Sequence, residues 1–273
     1  MQRLRMSQPI DQFARLTSPD LVFSKTIVRV PGVGQLSLAS IADRKSIALA
    51  YVCGAGCFVL VVALLLDQAA IAGVAKLAAS SAFVLMAVSL GAQVSRYGAL
   101  ILAGLVLSWF GDAFLIGASR HWFLLGLTSF LLAHIAYITA FITAGVERRW
   151  TLGAAVPVVV IAAAVMLWLH PYLPPELVWP VRFYTAVISL MVITAFGTLG
   201  AGATPLIVSG ACLFYLSDLS VAALRFTEPP FPTYIFGLPL YYAGQLCLAF
   251  SIAANSSRDP SKARPQNTRP GNR

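Results

Sequence analysis

Six polar side chains lie inside apolar stretches of this 273-residue chain: Lys76, Asp112, His134, Arg182, Asp218 and Gln245. An ionisable group at mid-membrane costs at least about 2.5–3.5 kcal/mol on insertion scales, so such groups usually pair or line a polar cavity. Two carboxyl groups in one cavity can divide acid and base roles between them. Asp112 and Asp218 are therefore the candidates for proton transfer.

The two aspartates lie in similar sequence. Gly104–Asp112 reads GLVLSWFGD and Gly210–Asp218 reads GACLFYLSD, with glycine, leucine, an aromatic residue, a small residue and the aspartate in register. Lys76 and Arg182 each stand 36 residues before the aspartate of their own half. This pattern predicts a duplicated four-helix unit whose halves run in parallel and bring the two aspartates face to face.

Each candidate also has a structural interpretation. One aspartate near the end of a span is often an interfacial residue, or it forms a hydrogen bond between helices. The long side chains of Lys76 and Arg182 can reach the membrane surface from near a helix end. His134 can equally be a buried, hydrogen-bonded histidine. Packing is the simpler interpretation for four tyrosines: Tyr137, Tyr215, Tyr241 and Tyr242.

The elements that must position these residues are membrane-spanning helices. The chain is 59% hydrophobic and 11% charged, whereas soluble domains carry roughly 25% charged residues. This composition excludes a soluble enzyme, a nucleic-acid-binding domain and a disordered protein. Apolar runs long enough to cross a bilayer recur eight times, at about 46–66, 71–91, 98–118, 122–143, 152–169, 181–199, 204–224 and 234–254. We therefore predict an all-α polytopic bundle of eight helices, with seven as the alternative.

Most of the positive charge lies in the two ends of the chain. Residues 1–45 hold seven Lys/Arg against three Asp, and residues 255–273 hold five against one. Residues 46–254 hold seven basic against six acidic side chains. The positive-inside rule predicts two cytoplasmic polar tails around a membrane domain of the cell membrane. Anionic lipid of the bilayer is the expected partner of the tails, and nucleic acid is not expected.

Four cysteines lie in apolar runs, at Cys53, Cys57, Cys212 and Cys247. Cys53 and Cys57 share a helical face, but no histidine or third cysteine stands near them in the sequence to complete a metal site. We interpret the cysteines as small buried hydrophobic residues. No metal and no cofactor are expected.

Four motifs in order carry a resemblance to a known family. They are SWFGDAFL at Ser108–Leu115, GLTSFLLAHIAY at Gly126–Tyr137, LSD at Leu216–Asp218 and YYAGQ at Tyr241–Gln245. Together they resemble the YhhN family of membrane proteins, which includes the animal lysoplasmalogenases. The resemblance runs from about Lys76 to Ser251, across nearly the whole membrane body.

The resemblance implies hydrolysis of the vinyl-ether bond of a lysoplasmalogen, which releases a fatty aldehyde and a glycerophospho-headgroup. Acid must protonate the carbon β to the ether oxygen, and water must then capture the oxocarbenium ion. One protonated and one ionised carboxyl group would serve, as in glycosidases. Asp112 and Asp218 would be that pair, without a decision as to which is the acid.

The other residues would support the same reaction. His134 and Gln245 would orient water or a carboxyl group, with Tyr137 and Gln245 at the substrate. Lys76 and Arg182 would hold the phosphate of a lysophospholipid substrate.

Two other functional classes fit the residues. A proton-coupled transporter of a small or lipid-like solute also has parallel repeats and intramembrane Asp, Lys and His. A structural membrane protein would use the same polar groups only to join helices. The natural substrate, its headgroup and the oligomeric state are left open by the sequence.

Overall fold

The computed structural model describes residues 43–256. They form eight α-helices, each long and apolar enough to cross a membrane: α1 (Arg44–Leu65), α2 (Ala69–Ser89), α3 (Arg96–Phe114), α4 (Arg120–Ala144), α5 (Arg148–Leu169), α6 (Val178–Gly200), α7 (Leu206–Phe226) and α8 (Tyr234–Ser256). Eight spans are therefore confirmed for this part of the chain. Most of the two predicted polar tails, 1–45 and 255–273, lies outside the described residues.

Short polar side chains mark where several helices begin. The carboxylate of Asp43 accepts hydrogen bonds from the hydroxyl and the main-chain N–H of Ser46 at the start of α1. These bonds hold the pKa of Asp43 below its usual range. Ser95 caps α3 in the same way, accepting from Gly98 N–H at 3.0 Å, because the first N–H groups of a helix have no partner within it.

Helices of the first half of the bundle, α1 to α4, pair in the same way as those of the second half, α5 to α8. Helices α1 and α2 pack together as α5 and α6 do, and the tight pair α3–α4 corresponds to α7–α8. Between the halves, α4 packs against α6, and the equivalent helices α8 and α2 also pack together. These shared pairings agree with a duplicated four-helix unit, which stays a prediction.

Glycines make the close approach within the two tight pairs. A side chain at Gly104 of α3 would meet the ring of Tyr137 on α4. The equivalent Gly210 of α7 faces Leu248 on α8, and a Cβ there would lie 3.0 Å from the carbonyl oxygen of Gly244. The two aspartates follow these glycines by eight residues in each half, so the tight pairs fix their helices in place.

The outward surface of the bundle is apolar, as a lipid-facing surface must be. The most hydrophobic stretch of α5 is only 11% buried, so nearly all of this helix is available to lipid. Four tryptophans near helix ends are exposed, at Trp122, Trp150, Trp168 and Trp179. Cys53 and Cys57 are buried and free, in keeping with a packing role.

Candidate active site

A single apolar cavity connects the two aspartates. Its volume is about 150 Å³, and both Asp112 and Asp218 line it. Its outer wall comes from one end of the bundle, where α3, α5 and α7 end and α4, α6 and α8 begin: Leu115, Phe123, Leu169, Val181, Phe226 and Tyr234. The cavity therefore opens at the membrane face opposite the one that holds residues 43 and 256.

Asp112 is buried and held by three neighbouring groups. Its Oδ2 accepts hydrogen bonds from the hydroxyl of Ser80 on α2 at 2.5 Å and from the hydroxyl of Tyr241 on α8 at 2.8 Å. The Nζ of Lys76 lies 4.0 Å from Oδ1. Two hydroxyl donors and a cation thus surround this carboxyl group, and they favour its ionised form against the burial that disfavours it.

Asp218 has a different set of partners. Its Oδ2 accepts a 2.5 Å hydrogen bond from the hydroxyl of Tyr184 on α6. The Nε2 atom of His134 on α4 lies 3.8 Å from the same oxygen. No lysine or arginine among residues 43–256 comes within 4.0 Å of this carboxyl group. The two aspartates therefore occupy equivalent places in the repeat but unlike electrostatic surroundings.

His134 lies behind the cavity wall. Its ring is fully buried, with its edge against Tyr184 and Phe214 at centroid distances of 5.3 and 4.7 Å. Neither ring nitrogen has a hydrogen-bond partner in the described part of the chain. Asp218 is therefore the polar group to which this imidazole is directed.

A second polar network lies one helical turn from Tyr241, whose hydroxyl binds Asp112. The hydroxyl of Tyr137 donates to Oε1 of Gln245 at 2.8 Å, and Ser108 lies 3.4 Å from the same hydroxyl. Gln245 stands one turn after Tyr241 on α8, so the network supports the helix that carries the hydroxyl bound to Asp112. Both Tyr137 and Gln245 are fully buried and do not line the cavity, and their role at a substrate stays a prediction.

Arg182 does not reach the cavity. It is exposed, and its guanidinium lies 5.3 Å from the ring centre of Trp179 on the same helix. The structure therefore does not bring the two expected phosphate ligands together: Lys76 lines the cavity beside Asp112, whereas Arg182 is not among the lining residues.

The surroundings of the two aspartates include residues to which the sequence assigned no function. Ser80 is one turn after Lys76, a spacing that would have placed both on one face of α2. Tyr241 was interpreted as packing, yet its hydroxyl binds Asp112. Tyr184 and Arg225 had no sequence signal, since neither belongs to the repeated segments or the four motifs.

The described residues contain no group of three or more His, Cys, Asp or Glu side chains that could hold a metal ion. The side chains described above supply two carboxyl groups, an imidazole, hydroxyl groups and two cations.

Comparison with known proteins supports the same region. A model of the YhhN family matches residues 71–252, which include every residue of the site described above. No solved structure matches the chain significantly.

Three relatives illustrate the similarity. Lysoplasmalogenase TMEM86A of Bos taurus is 34% identical over 166 residues, which cover 59% of this chain and 67% of the relative. Lysoplasmalogenase TMEM86B of Sus scrofa is 28% identical over a stretch that covers 60% of this chain and 68% of the relative. A lysoplasmalogenase of Mycobacterium tuberculosis is 32% identical over a stretch that covers 54% of this chain and 58% of the relative. The family model spans α3 to α7 in full and most of α2 and α8, so the chain belongs to the YhhN family.

Proposed function

We propose that this protein is a membrane-embedded hydrolase that cleaves the vinyl-ether bond of lysoplasmalogen-type lysolipids. The observation that carries the proposal is the pair of aspartates with unlike surroundings in one apolar cavity that opens at a membrane face. A lysolipid with one chain suits such a cavity, because its chain is apolar and its headgroup polar. The names of the relatives from mammals and Mycobacterium support the same reaction.

The surroundings of the aspartates suggest a division of roles. Lys76 lies 4.0 Å from Asp112, so we assign Asp112 as the ionised carboxylate. Asp218 has the Tyr184 hydroxyl and His134 nearby but no lysine or arginine of residues 43–256 within 4.0 Å, so we assign it as the proton donor. His134 and Tyr184 are positioning residues, which hold the Asp218 carboxyl group toward the cavity.

The reaction then proceeds in balanced steps. Asp218 transfers its proton to the carbon β to the ether oxygen, and the electrons of the C=C bond form the new C–H bond. The resulting oxocarbenium ion lies near the Asp112 carboxylate, which stabilises it and removes a proton from the water that adds to it. A hemiacetal results. Its C–O bond to glycerol breaks as Asp112 returns a proton to the glycerol oxygen and Asp218 takes the hydroxyl proton, which yields the aldehyde and restores both carboxyl groups.

We also propose that the protein lies in the cell membrane, with residues 43 and 256 on the cytoplasmic face. Helix ends on their face carry Arg44, Lys45, Arg96, Arg148 and Arg149, and the sequence adds ten Lys/Arg in the flanking tails. The opposite face carries fewer cations, so the positive-inside rule supports this orientation. The cavity would then open to the outer leaflet.

Fatty-aldehyde release tests the proposal directly. The purified protein in detergent is mixed with a vinyl-ether lysophospholipid of choline or ethanolamine type, and aldehyde is measured over time beside the Asp112→Asn variant. We expect release by the wild type and loss of release in the variant. A proton-coupled transporter would release no aldehyde in detergent, where no gradient exists. Failure of the folded wild type to release aldehyde from either substrate would contradict the proposal.

A further inference from the structure

Arg225 lies at the mouth of the cavity, directly above Asp218. The two residues are seven positions apart on α7, which is close to two full turns, so their side chains leave the same face of the helix. Both line the cavity. At a rise of 1.5 Å per residue, their Cα atoms are separated along the helix by about 10 Å.

The guanidinium of Arg225 is held in place but has no anionic partner in the part of the chain that the structure describes. It lies over the ring of Phe123 on α4, 4.8 Å from the ring centre. A cation in this position is attracted electrostatically to the face of the ring. None of the carboxylates among residues 43–256 comes within 4.0 Å of it. A positioned arginine without a counter-ion, beside an apolar cavity, is suited to bind an anion that enters with an apolar ligand.

We propose that Arg225 binds the phosphate of the substrate and thereby restricts the enzyme to phosphate-bearing single-chain ether lipids. This inference rests on the hydrolase function proposed above. Five bonds join the vinyl-ether oxygen to phosphorus through glycerol, and at about 1.2 Å of advance per bond they span about 6 Å. The Cα atoms of Arg225 and Asp218 lie about 10 Å apart along α7, and both side chains line the cavity. A glycerol phosphate therefore fits between them with its ether at the aspartates.

Arg225 replaces Arg182 in the role expected from the sequence. Lys76 and Arg225 are the two cations that line the cavity in the described part of the chain. Lys76 lies beside Asp112, at the reacting end, whereas Arg225 lies at the end where a headgroup would meet water. The two cations thus serve different parts of one ligand.

A structural role for Arg225 makes a different prediction. A cation in the last turn of a helix stabilises the negative end of the helix dipole, and a long side chain can also reach the membrane surface. Loss of Arg225 would then weaken the protein itself, and every substrate would be affected alike.

Two substrates separate these roles. One is a 1-O-alkenyl-glycerophosphocholine, and the other is the matching 1-O-alkenylglycerol, which lacks the phosphate. Both are assayed in a detergent free of phospholipid, so that the substrate supplies the phosphate and bilayer lipid does not. The variants are Arg225→Gln, the conservative Arg225→Lys, and Arg182→Gln as a matched loss of an arginine outside the cavity.

We expect Arg225→Gln to lower kcat/KM for the phosphate-bearing substrate by about 10- to 100-fold, chiefly through KM, and to leave the alkenylglycerol rate unchanged. Arg225→Lys should recover part of the loss, and Arg182→Gln should resemble the wild type with both substrates. An equal loss on both substrates, or no loss on either, would overturn the phosphate role while leaving the hydrolase function intact. A folded wild type that hydrolyses neither substrate would overturn both.

Discussion

Two aspartates at equivalent positions differ in what surrounds them. Asp112 has a lysine and two hydroxyl donors, whereas Asp218 has one tyrosine hydroxyl and an imidazole. Two carboxyl groups in identical surroundings would have the same affinity for a proton. The unlike neighbours allow one of them to hold a proton while the other stays ionised, which acid-catalysed hydrolysis requires.

Removal of either carboxyl group should therefore have a large and distinguishable effect. We expect Asp112→Asn and Asp218→Asn each to lower turnover at least about 100-fold, the scale of a general acid or base. In Asp218→Asn, hydronium must supply the proton, so the residual rate should rise in proportion to hydronium concentration as the pH falls. In Asp112→Asn the donor is still present, and no such proportionality is expected.

Aldehyde release measured across pH in both variants checks this assignment. Melting temperatures in the same detergent serve as the control for folding. Near-normal turnover in both variants would rule out the aspartate pair, and proportionality to hydronium in Asp112→Asn alone would reverse the two roles.

The tyrosine hydroxyls should also contribute through the aspartates. Tyr241→Phe removes the hydrogen bond to Asp112 and Tyr184→Phe the one to Asp218, while both rings remain. Asp112 is ionised in our assignment, and Asp218 becomes ionised as it transfers its proton, so both hydrogen bonds are to a charged group during the reaction. Since such bonds contribute about 1.5–3 kcal/mol, we expect kcat to fall by about 10- to 100-fold. Tyr97→Phe is the matched control, because its hydroxyl binds Ser251 away from the cavity. Equal effects in all three variants would contradict a specific role.

At the scale of the helices, hydropathy was enough to locate all eight spans within a few residues, because the bilayer requires each of them to be long and apolar. The direction in which each side chain points was harder to predict. Arg182 and Tyr184 are two residues apart, which is about 200° around a helix. Because Tyr184 faces Asp218, Arg182 must face away, and only the packing of α6 shows which of the two points inward.

Contacts between helices distant in sequence were also beyond prediction. His134 and Asp218 come together because α4 packs against α6, and α6 against α7. The motifs predicted that both residues matter, but nothing in a single sequence states which helices become neighbours. For the same reason, the sequence does not predict the contact of Tyr184 with Asp218.

The tight α7–α8 pair predicts a stability effect. Gly210→Ala would place a methyl group against Leu248 and the main chain of Gly244, and overpacking of this kind costs about 1–3 kcal/mol. Gly153→Ala on α5 is the control, since nothing lies within 4 Å of its added Cβ and alanine favours a helix by up to about 1 kcal/mol. Thermal unfolding in detergent should show a lower midpoint for the first variant only. A midpoint unchanged by Gly210→Ala would contradict the close packing.

At the scale of the whole molecule, the orientation in the membrane can be tested at two exposed positions. His121 lies at the face of the cavity mouth, and Arg149 lies at the face of residues 43 and 256. We expect a membrane-impermeant maleimide to label His121→Cys on intact cells and Arg149→Cys only after permeabilisation. The unsubstituted chain, with its four cysteines, gives the background. The reverse pattern would invert the orientation.

The even number of spans among residues 43–256 leaves both ends of the bundle on the face away from the cavity mouth. For anyone who wishes to attach the protein to a bead, a sensor surface or a fluorescent reporter, this separation decides where the linker belongs. A tether joined beside Asp43 or after Ser256 leaves the mouth directed toward the bathing solution, and a ligand can reach it without passing the support.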